Sequence, residues 1–500
     1  MTGVDGWMLA ELRRVMGREH ALADEAARAA YAGDGSLEVG RPGVVVLPER
    51  VDQVVEVVRL ASEWGVPLVP RGAGTGLSGG AVAKEGGILL TLTRLNRIKA
   101  IDPHNRLAVV EPGVVNAELT RAAAPFGLYY APDPSSQPAC TIGGNVAENS
   151  GGAHCLAHGV TTNHVLALEV VVAPDGRRLR LGGPAPDRPG YDLMGLVVGS
   201  EGTLAVVTEV TVRLMTRAES VATLLAIFDS ARAASETVSA IIAAGVVPVA
   251  LEMMDGMSAR AVEQGLKVGF PTDAGAVLLI ELEGLTEAFD AADAHGELPL
   301  VQRLCQAHGA RSVRTATAAW EREALWKGRK AARGALGRLA PNYYVHDGVV
   351  PRSRIPEVID RIAAIGAAYD LPVATYLHAG DGNLHPNVLF DARRPGEAER
   401  AKAAGEAILK ACVELGGVLS GEHGIGLEKQ AYLPWQLAEG DLRAQAKVKV
   451  AWDAAGRLNP SKIFPTPGLC GEIRGASRVR PPRAGSPPVA EPAPAPAGGG

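Results

Sequence analysis

Arg71-Gly72-Ala73-Gly74-Thr75-Gly76-Leu77-Ser78-Gly79-Gly80 is the densest glycine cluster of the chain, and it directly follows a strand-like run, Val66 to Val69. Without Cβ atoms, such a loop lets backbone N–H groups come close to a phosphate. Several known patterns fit parts of it. Gly74, Gly76 and Gly79 satisfy GxGxxG, but a Rossmann unit needs a helix opening at the loop and an acidic residue about twenty positions on. The chain runs instead through Ala81-Val82-Ala83-Lys84 into a new strand, Ile88 to Leu92, and then Arg94. Gly76, Ser78 and Gly80 satisfy GxSxG, which also demands a following helix. No Lys-Ser or Lys-Thr follows, so a Walker loop is excluded.

Two further loops of small and hydroxyl residues lie downstream. Pro132-Asp133-Pro134-Ser135-Ser136 leads into Thr141-Ile142-Gly143-Gly144-Asn145-Val146-Ala147-Glu148-Asn149-Ser150-Gly151-Gly152, and the third is Gly199-Ser200-Glu201-Gly202-Thr203-Leu204. Three such loops suit one long, extended, polar cofactor. Around them the pattern predicts strands at Val44 to Leu47, Leu107 to Glu111, Ala167 to Val172 and Val206 to Val212, and a helix from Val51 to Trp64. Asn116 is expected to cap another helix. Beyond a boundary near Thr216, helix patterns such as Ser230 to Ala244 alternate with strand runs such as Val277 to Leu282 and Pro372 to Tyr376, as in an α+β cap.

The 500 residues are 47% hydrophobic, too many for one core and enough for two or three. A formal charge of −5 provides no footprint for nucleic acid. The five cysteines, Cys140, Cys155, Cys305, Cys412 and Cys470, include no CxxC pair. They read as reduced thiols in a cytoplasm-like compartment and supply no close ligand set for an iron–sulfur cluster. No run approaches the roughly 20 apolar residues of a membrane span, and the N-terminus lacks the order of a signal peptide. The expectation is a cytoplasmic enzyme that reaches the inner face of a membrane only through partners. The tail from about Gly471, rich in Pro, Gly, Ala and Ser, is expected to be disordered.

A second constellation lies in the cap region: His378-Ala379-Gly380-Asp381-Gly382-Asn383-Leu384-His385-Pro386-Asn387, then Gly421-Glu422-His423-Gly424-Ile425-Gly426. Two imidazoles and a carboxylate suit a divalent metal with an open position. On spacing alone, hydrogen-bonded histidines beside a tight turn are the better explanation of the pattern.

Together these motifs resemble a known family over about residues 40 to 465. The three loops, in this order, resemble the FAD domain shared by vanillyl-alcohol oxidase and its relatives. The resemblance implies an α+β fold: a PCMH-type FAD-binding domain of two α/β subdomains plus an α+β cap domain with an antiparallel sheet. The implied division is a helical segment over 1–40, the FAD domain over 41–217, the substrate cap over 218–420, a segment returning to the FAD domain over 421–470, and the tail over 471–500. In that family the first loop cradles the pyrophosphate, the second passes the ribityl chain and isoalloxazine, and the third closes on the adenine side. The implied flavin contacts are Arg71, Gly72, Gly74, Thr75, Gly76, Leu77, Ser78 and Gly79; Pro134, Ser135 and Ser136; Thr141, Gly144, Asn145, Ala147, Asn149 and Gly151; Glu201, Gly202 and Val207; and Asn459. Covalent members commonly carry a histidine in the first loop, and none occurs between Pro70 and Ala81, so FAD is expected to bind non-covalently.

HxGDGNxH followed by GEHGxG is similar to the signature of the branch containing D-lactate, D-2-hydroxyglutarate and glycolate dehydrogenases. That resemblance implies a metal (Zn, Mn or Fe) on His378, His385 and Glu422, with His423 facing the flavin as base. The motif Leu325-Trp326-Lys327-Gly328-Arg329 makes Arg329, with Asn387, the candidate clamp for a substrate carboxylate, since a guanidinium fork matches that group. Where relatives for larger acids often carry a lysine, this chain reads Tyr343-Tyr344-Val345-His346-Asp347-Gly348, which resembles glycolate-oxidising flavin subunits. The implied activity is oxidation of a small 2-hydroxy acid, glycolate ahead of D-lactate. Electrons would pass to a second FAD-domain subunit and an iron–sulfur subunit. A catalytically silent flavin subunit and a zinc hydrolase are the rival readings.

Overall fold

The computed structural model describes residues 3–84, 86–185, 190–284, 296–316 and 318–464. The tail expected to be disordered, and Cys470, lie outside the described residues. Among them no helix is long and apolar enough to cross a membrane.

Strands Val44–Val46, Ile88–Thr91 and Leu68–Arg71 run parallel in that order, and Ala21–Leu22 adds an antiparallel edge. Covered on both faces, they read as unbroken Val, Ile and Leu rather than as an alternation. Helix Val51–Trp64 turns Val54, Val57, Val58 and Ala61 to this sheet and stops at Gly65, whose φ of +66° is a left-handed cap. Leu12 and Met16 of helix Gly6–Met16 share the same core. The sheet ends at Arg71, and the glycine loop begins there.

A second sheet is wholly antiparallel, in the order Ile98–Asp102, Leu107–Val110, Val206–Arg213, Val165–Val172 and Arg177–Gly182. Helices Asn116–Ala123 and Ile142–Glu148 pack on it. Asn116 does not cap its helix, contrary to the sequence expectation. Val115 holds the cap position, and the fully buried Asn116 donates from Nδ2 to Pro132 O and Asn145 Oδ1, both at 2.9 Å. A capping side chain must reach back to its own helix. This one instead ties that helix to the second loop.

The cap sheet is antiparallel throughout, running Ala310–Ala316, Ser220–Phe228, Ala276–Gly284, Ala250–Asp255, Val373–His378, Asn383–Phe390 and Asn342–Val345, with Gly348–Val349 pairing the far end of Asn383–Phe390. Leu224, Ala226 and Phe228 face helices Ala231–Ala243, Ile355–Ala368 and Glu397–Glu414, whereas Leu225 and Ile227 face helices Gly256–Leu266 and Ala319–Lys330. Helices on both faces explain the unbroken apolar runs Leu224–Phe228 and Ala276–Ile280 in the central strands. Past helix Glu439–Trp452 the chain returns to the first region, where Leu458 bridges Leu68 and Asn459 Nδ2 donates to Gly80 O and Glu201 O at 2.8 and 2.6 Å. That amide fastens the first glycine loop to the third.

Candidate active site

The three loops and the cap close around one cleft of about 1460 Å³, a figure that includes space open to solvent. It is lined continuously from the glycine loop at Arg71–Leu77 to Arg329, His385 and His423 of the cap region, a length of wall that suits an extended cofactor with a substrate beside it. Of the residues expected at FAD, Arg71, Gly72, Gly74, Thr75, Gly76, Leu77, Pro134, Ser135, Ser136, Thr141, Gly144, Asn145, Ala147, Glu201, Gly202 and Val207 line it. Ser78, Gly79, Asn149, Gly151 and Asn459 do not; they stand behind the wall or join its loops.

The bare backbone of the first loop is enforced by its neighbours. A Cβ on Gly72 would lie 2.5 Å from Thr141 Oγ1, and one on Gly80 2.6 Å from Glu148 Oε1. Gly74, at φ +73°, would drive a Cβ into the Arg71 guanidinium. Arg71 is buried, donates to Gly33 O at 2.8 Å and lies over the Tyr31 ring. This wall keeps a cation and open backbone where a pyrophosphate would sit, so the residues fit the group. Deeper in, burial and the neighbouring Glu201 raise the Glu148 carboxyl well above its usual range. Its Oε2 is buried without a partner among the described residues.

The other end of the cleft is built by the hairpin Val373–His378 and Asn383–Phe390. His378 pairs with Asn383 and Tyr376 with His385, so all four side chains share one face. His378 Nε2 and His385 Nε2 lie 3.3 and 3.2 Å from Glu422 Oε1. Ligand bonds of about 2.0–2.1 Å in a tetrahedron need donor separations of about 3.3 Å, so the triad fits a divalent ion. Burial alone would lower the His378 pKa, but Glu252 and Glu422 override it and raise it well above normal. Without a metal, a proton takes that place. His423 stacks on His385 at 5.1 Å and 12°. Burial pushes its pKa down to about 4, with His385 and Lys429 adding and Asp347 opposing, so at neutral pH the imidazole is uncharged.

Arg329 lines the cleft but is not alone. Its Nη2 lies 2.5 Å from Glu252 Oε2, its guanidinium sits 5.0 Å over the Tyr376 ring, and its Nε is buried without a partner among the described residues. Glu252 is fully buried and accepts from His378 Nδ1 at 2.7 Å through its other oxygen. One carboxylate therefore meets both His378 and Arg329, an arrangement that would orient the imidazole if it held a metal. Sequence reasoning missed it, although a single glutamate inside the buried strand Ala250–Asp255 signals an obligatory partner. Asn387 does not line the cleft: it is fully buried and donates from Nδ2 to Ala374 O and His385 O at 3.2 and 2.7 Å. Its amide hydrogens are thus committed to backbone beside His385, while its Oδ1 is buried without a partner among the described residues.

The loop carrying Glu422 and His423 hangs on Asp347. Its carboxylate receives Asn383 Nδ2 at 2.7 Å, Ser420 Oγ at 2.6 Å, His423 N at 2.9 Å and Lys429 Nζ at 2.9 Å. Despite burial, His423 and Lys429 hold that carboxyl well below the usual range. The Asp-Gly pair noted in the sequence is thus the anchor of the loop that carries Glu422 and His423.

Comparison with known proteins agrees with this geometry. Residues 42–182 match the FAD binding domain family, and residues 217–463 match the C-terminal domain of FAD linked oxidases. Over 450 residues the chain is 48% identical to glycolate oxidase subunit GlcD of Escherichia coli (strain K12), covering 90% of this chain and 89% of that one. This chain belongs to the FAD-linked oxidases. The Bacillus subtilis (strain 168) GlcD is 42% identical, with 91% and 96% of the two chains covered. A D-lactate dehydrogenase of Archaeoglobus fulgidus is 36% identical over 84% and 91%. Among solved structures, p-cresol methylhydroxylase with substrate bound superposes with a TM-score of 0.77 at 18% identity, over 91% of this chain and 96% of that one. At that identity the likeness speaks for the fold alone, and it establishes the PCMH-type FAD-binding architecture of this oxidase.

Proposed function

We propose that this FAD-linked oxidase converts a small 2-hydroxy acid to the 2-oxo acid, with glycolate to glyoxylate as the reaction. The observation that carries the reading is the convergence of Arg329, the His378–His385–Glu422 triad and His423 at one end of a cleft whose other end is a glycine-lined phosphate cradle. FAD, when bound there without a covalent link, supplies a two-electron hydride acceptor at N5. Arg329 and the neighbouring Arg333, which also lines the cleft, offer the fork for the substrate carboxylate. His423 Nε2 takes the hydroxyl proton as the α-carbon gives up its hydride, and Asp347, 4.0 Å from Nδ1, stabilises the imidazolium that forms.

A divalent ion on His378, His385 and Glu422 would supply Lewis-acid polarisation of the hydroxyl. Two imidazoles and one carboxylate, with ligand atoms close enough to share one ion, are a donor set such an ion accepts. The cap strands shield the proton transfer from bulk water.

The two GlcD relatives are by name subunits, which supports a complex for this chain as well. No group of cysteines among the described residues is close enough to hold a cluster. We therefore assign the oxidising half of the cycle to a second FAD-domain subunit and an iron–sulfur subunit, with any membrane contact made through them. The test is the order of kcat/KM with an artificial acceptor. Glycolate should lead D-lactate, and D-2-hydroxyglutarate should trail; a preference for D-lactate would move the assignment to that substrate.

A further inference from the structure

Between the second flavin loop and the cap sheet lies a buried polar bridge that the chemistry above leaves unused. His154 Nδ1 is 3.0 Å from Asp133 Oδ2, and Nε2 is 3.4 Å from Glu281 Oε1. Asp133 directly precedes Pro134, Ser135 and Ser136 of the cleft wall, and its Oδ2 also meets Lys330 Nζ at 3.2 Å. Glu281, on cap strand Ala276–Gly284, accepts through Oε2 from Thr223 Oγ1 at 2.6 Å and from the Trp326 indole N–H. Trp326 lies on His154 with ring centroids 5.2 Å apart, and it stands three residues before Arg329 on helix Ala319–Lys330.

An imidazole facing a carboxylate from each ring nitrogen satisfies both only when both nitrogens carry protons. Burial opposes that charge, but Asp133 and Glu281 override it and raise the His154 pKa to about 10. The remaining ionisable neighbours are His158, stacked at 6.5 Å, with Tyr129 and Glu283 beyond it, and Lys330 on the far side of Asp133. A charged, mostly buried clasp of this kind is little screened by salt. It joins the wall on which the flavin would rest to the helix that carries the arginine.

We infer that His154 is a positioning residue: through Asp133 on one side and Glu281 with Trp326 on the other, it sets the spacing between the flavin loop and the helix presenting Arg329 to the substrate carboxylate. The inference rests on the substrate role proposed for Arg329. Because a misplacement of about 1 Å is enough to cost on the order of 100-fold in rate, loosening the clasp should weaken substrate capture while the flavin stays bound. Holoprotein carrying His154→Gln, Glu281→Gln or both provides the test. Each single variant should keep its FAD absorbance and lower kcat/KM for glycolate by roughly 10-fold or more, mostly through KM. The double variant should be no worse than the worse single, since both break one unit. Hydrogen exchange should quicken in helix Ala319–Lys330 but not in helix Ile355–Ala368 on the opposite face of the sheet. Unchanged KM, additive losses, or loosening spread over the whole cap would overturn the inference. Should His154→Gln fail to fold, Glu281→Gln breaks the same clasp from the cap side. If the wild-type protein oxidises no 2-hydroxy acid, the functional reading falls by itself, and the exchange pattern still decides whether the clasp holds the helix.

Discussion

Replacing Glu252 with glutamine tests the least visible part of the site. Both groups that meet this carboxylate are donors, His378 Nδ1 at Oε1 and Arg329 Nη2 at Oε2. A glutamine of the same shape has one accepting oxygen, so its NH2 must face one of those donors. Arg329 would then remain buried without its counter-ion, and breaking a buried pair by removing one partner costs about 3–5 kcal/mol. For a cap of this size that corresponds to a fall in Tm of roughly 10 °C. Loss of the carboxylate behind a ligating histidine typically lowers metal affinity or activity by about 10–100-fold. Differential scanning fluorimetry of the holoprotein, metal content after dialysis at fixed free metal, and kcat/KM read the three effects separately. A variant with unchanged Tm, metal content and kcat/KM would refute the claim that Glu252 orients either partner.

Gly74→Val should abolish FAD retention, because a β-branched side chain at φ +73° collides with Arg71 on the cradle wall; normal flavin content in the purified variant would remove the loop from the site. His423→Asn should leave FAD and metal content intact and slow flavin reduction by roughly 100-fold or more in stopped-flow measurements. A reduction rate like that of the wild type would place the base elsewhere. Stability should also depend on pH through His154. Its folded pKa of about 10 exceeds the unfolded value of about 6.5, so the stabilisation is complete below about 6.5 and is lost as pH rises through 10. The advantage of wild type over His154→Gln in thermal melts should therefore shrink across that interval, with a slope of at most about 1.4 kcal/mol per pH unit. An advantage that is constant from pH 6 to 10 would show His154 to be neutral in the fold.

Much of this arrangement is written locally in the sequence. The three small-residue loops, the helix from Val51 to Trp64 and the two histidine motifs each depend on neighbours a few residues apart, and the structure brings them to one cleft. What the sequence hides is long-range pairing. Glu252 and His378 are 126 residues apart and meet only because their strands are neighbours in the cap sheet. Glu281 and His154 are 127 apart and come from opposite sides of the cleft. Asn116 is hidden for a related reason: its residue type allows a cap, but full burial commits its amide to Pro132 and Asn145. Lys330, Arg333 and Tyr376 complete the cleft wall without any motif of their own.

The central claim is that a small 2-hydroxy acid delivers its electrons directly to FAD held in this cleft. Anaerobic titration of the purified holoprotein with glycolate, D-lactate and D-2-hydroxyglutarate, followed by flavin absorbance, tests it without any electron acceptor or partner chain. Glycolate should bleach the flavin fully, with one equivalent of glyoxylate formed per FAD. A flavin that stays oxidised with every 2-hydroxy acid, yet bleaches with dithionite, would contradict it.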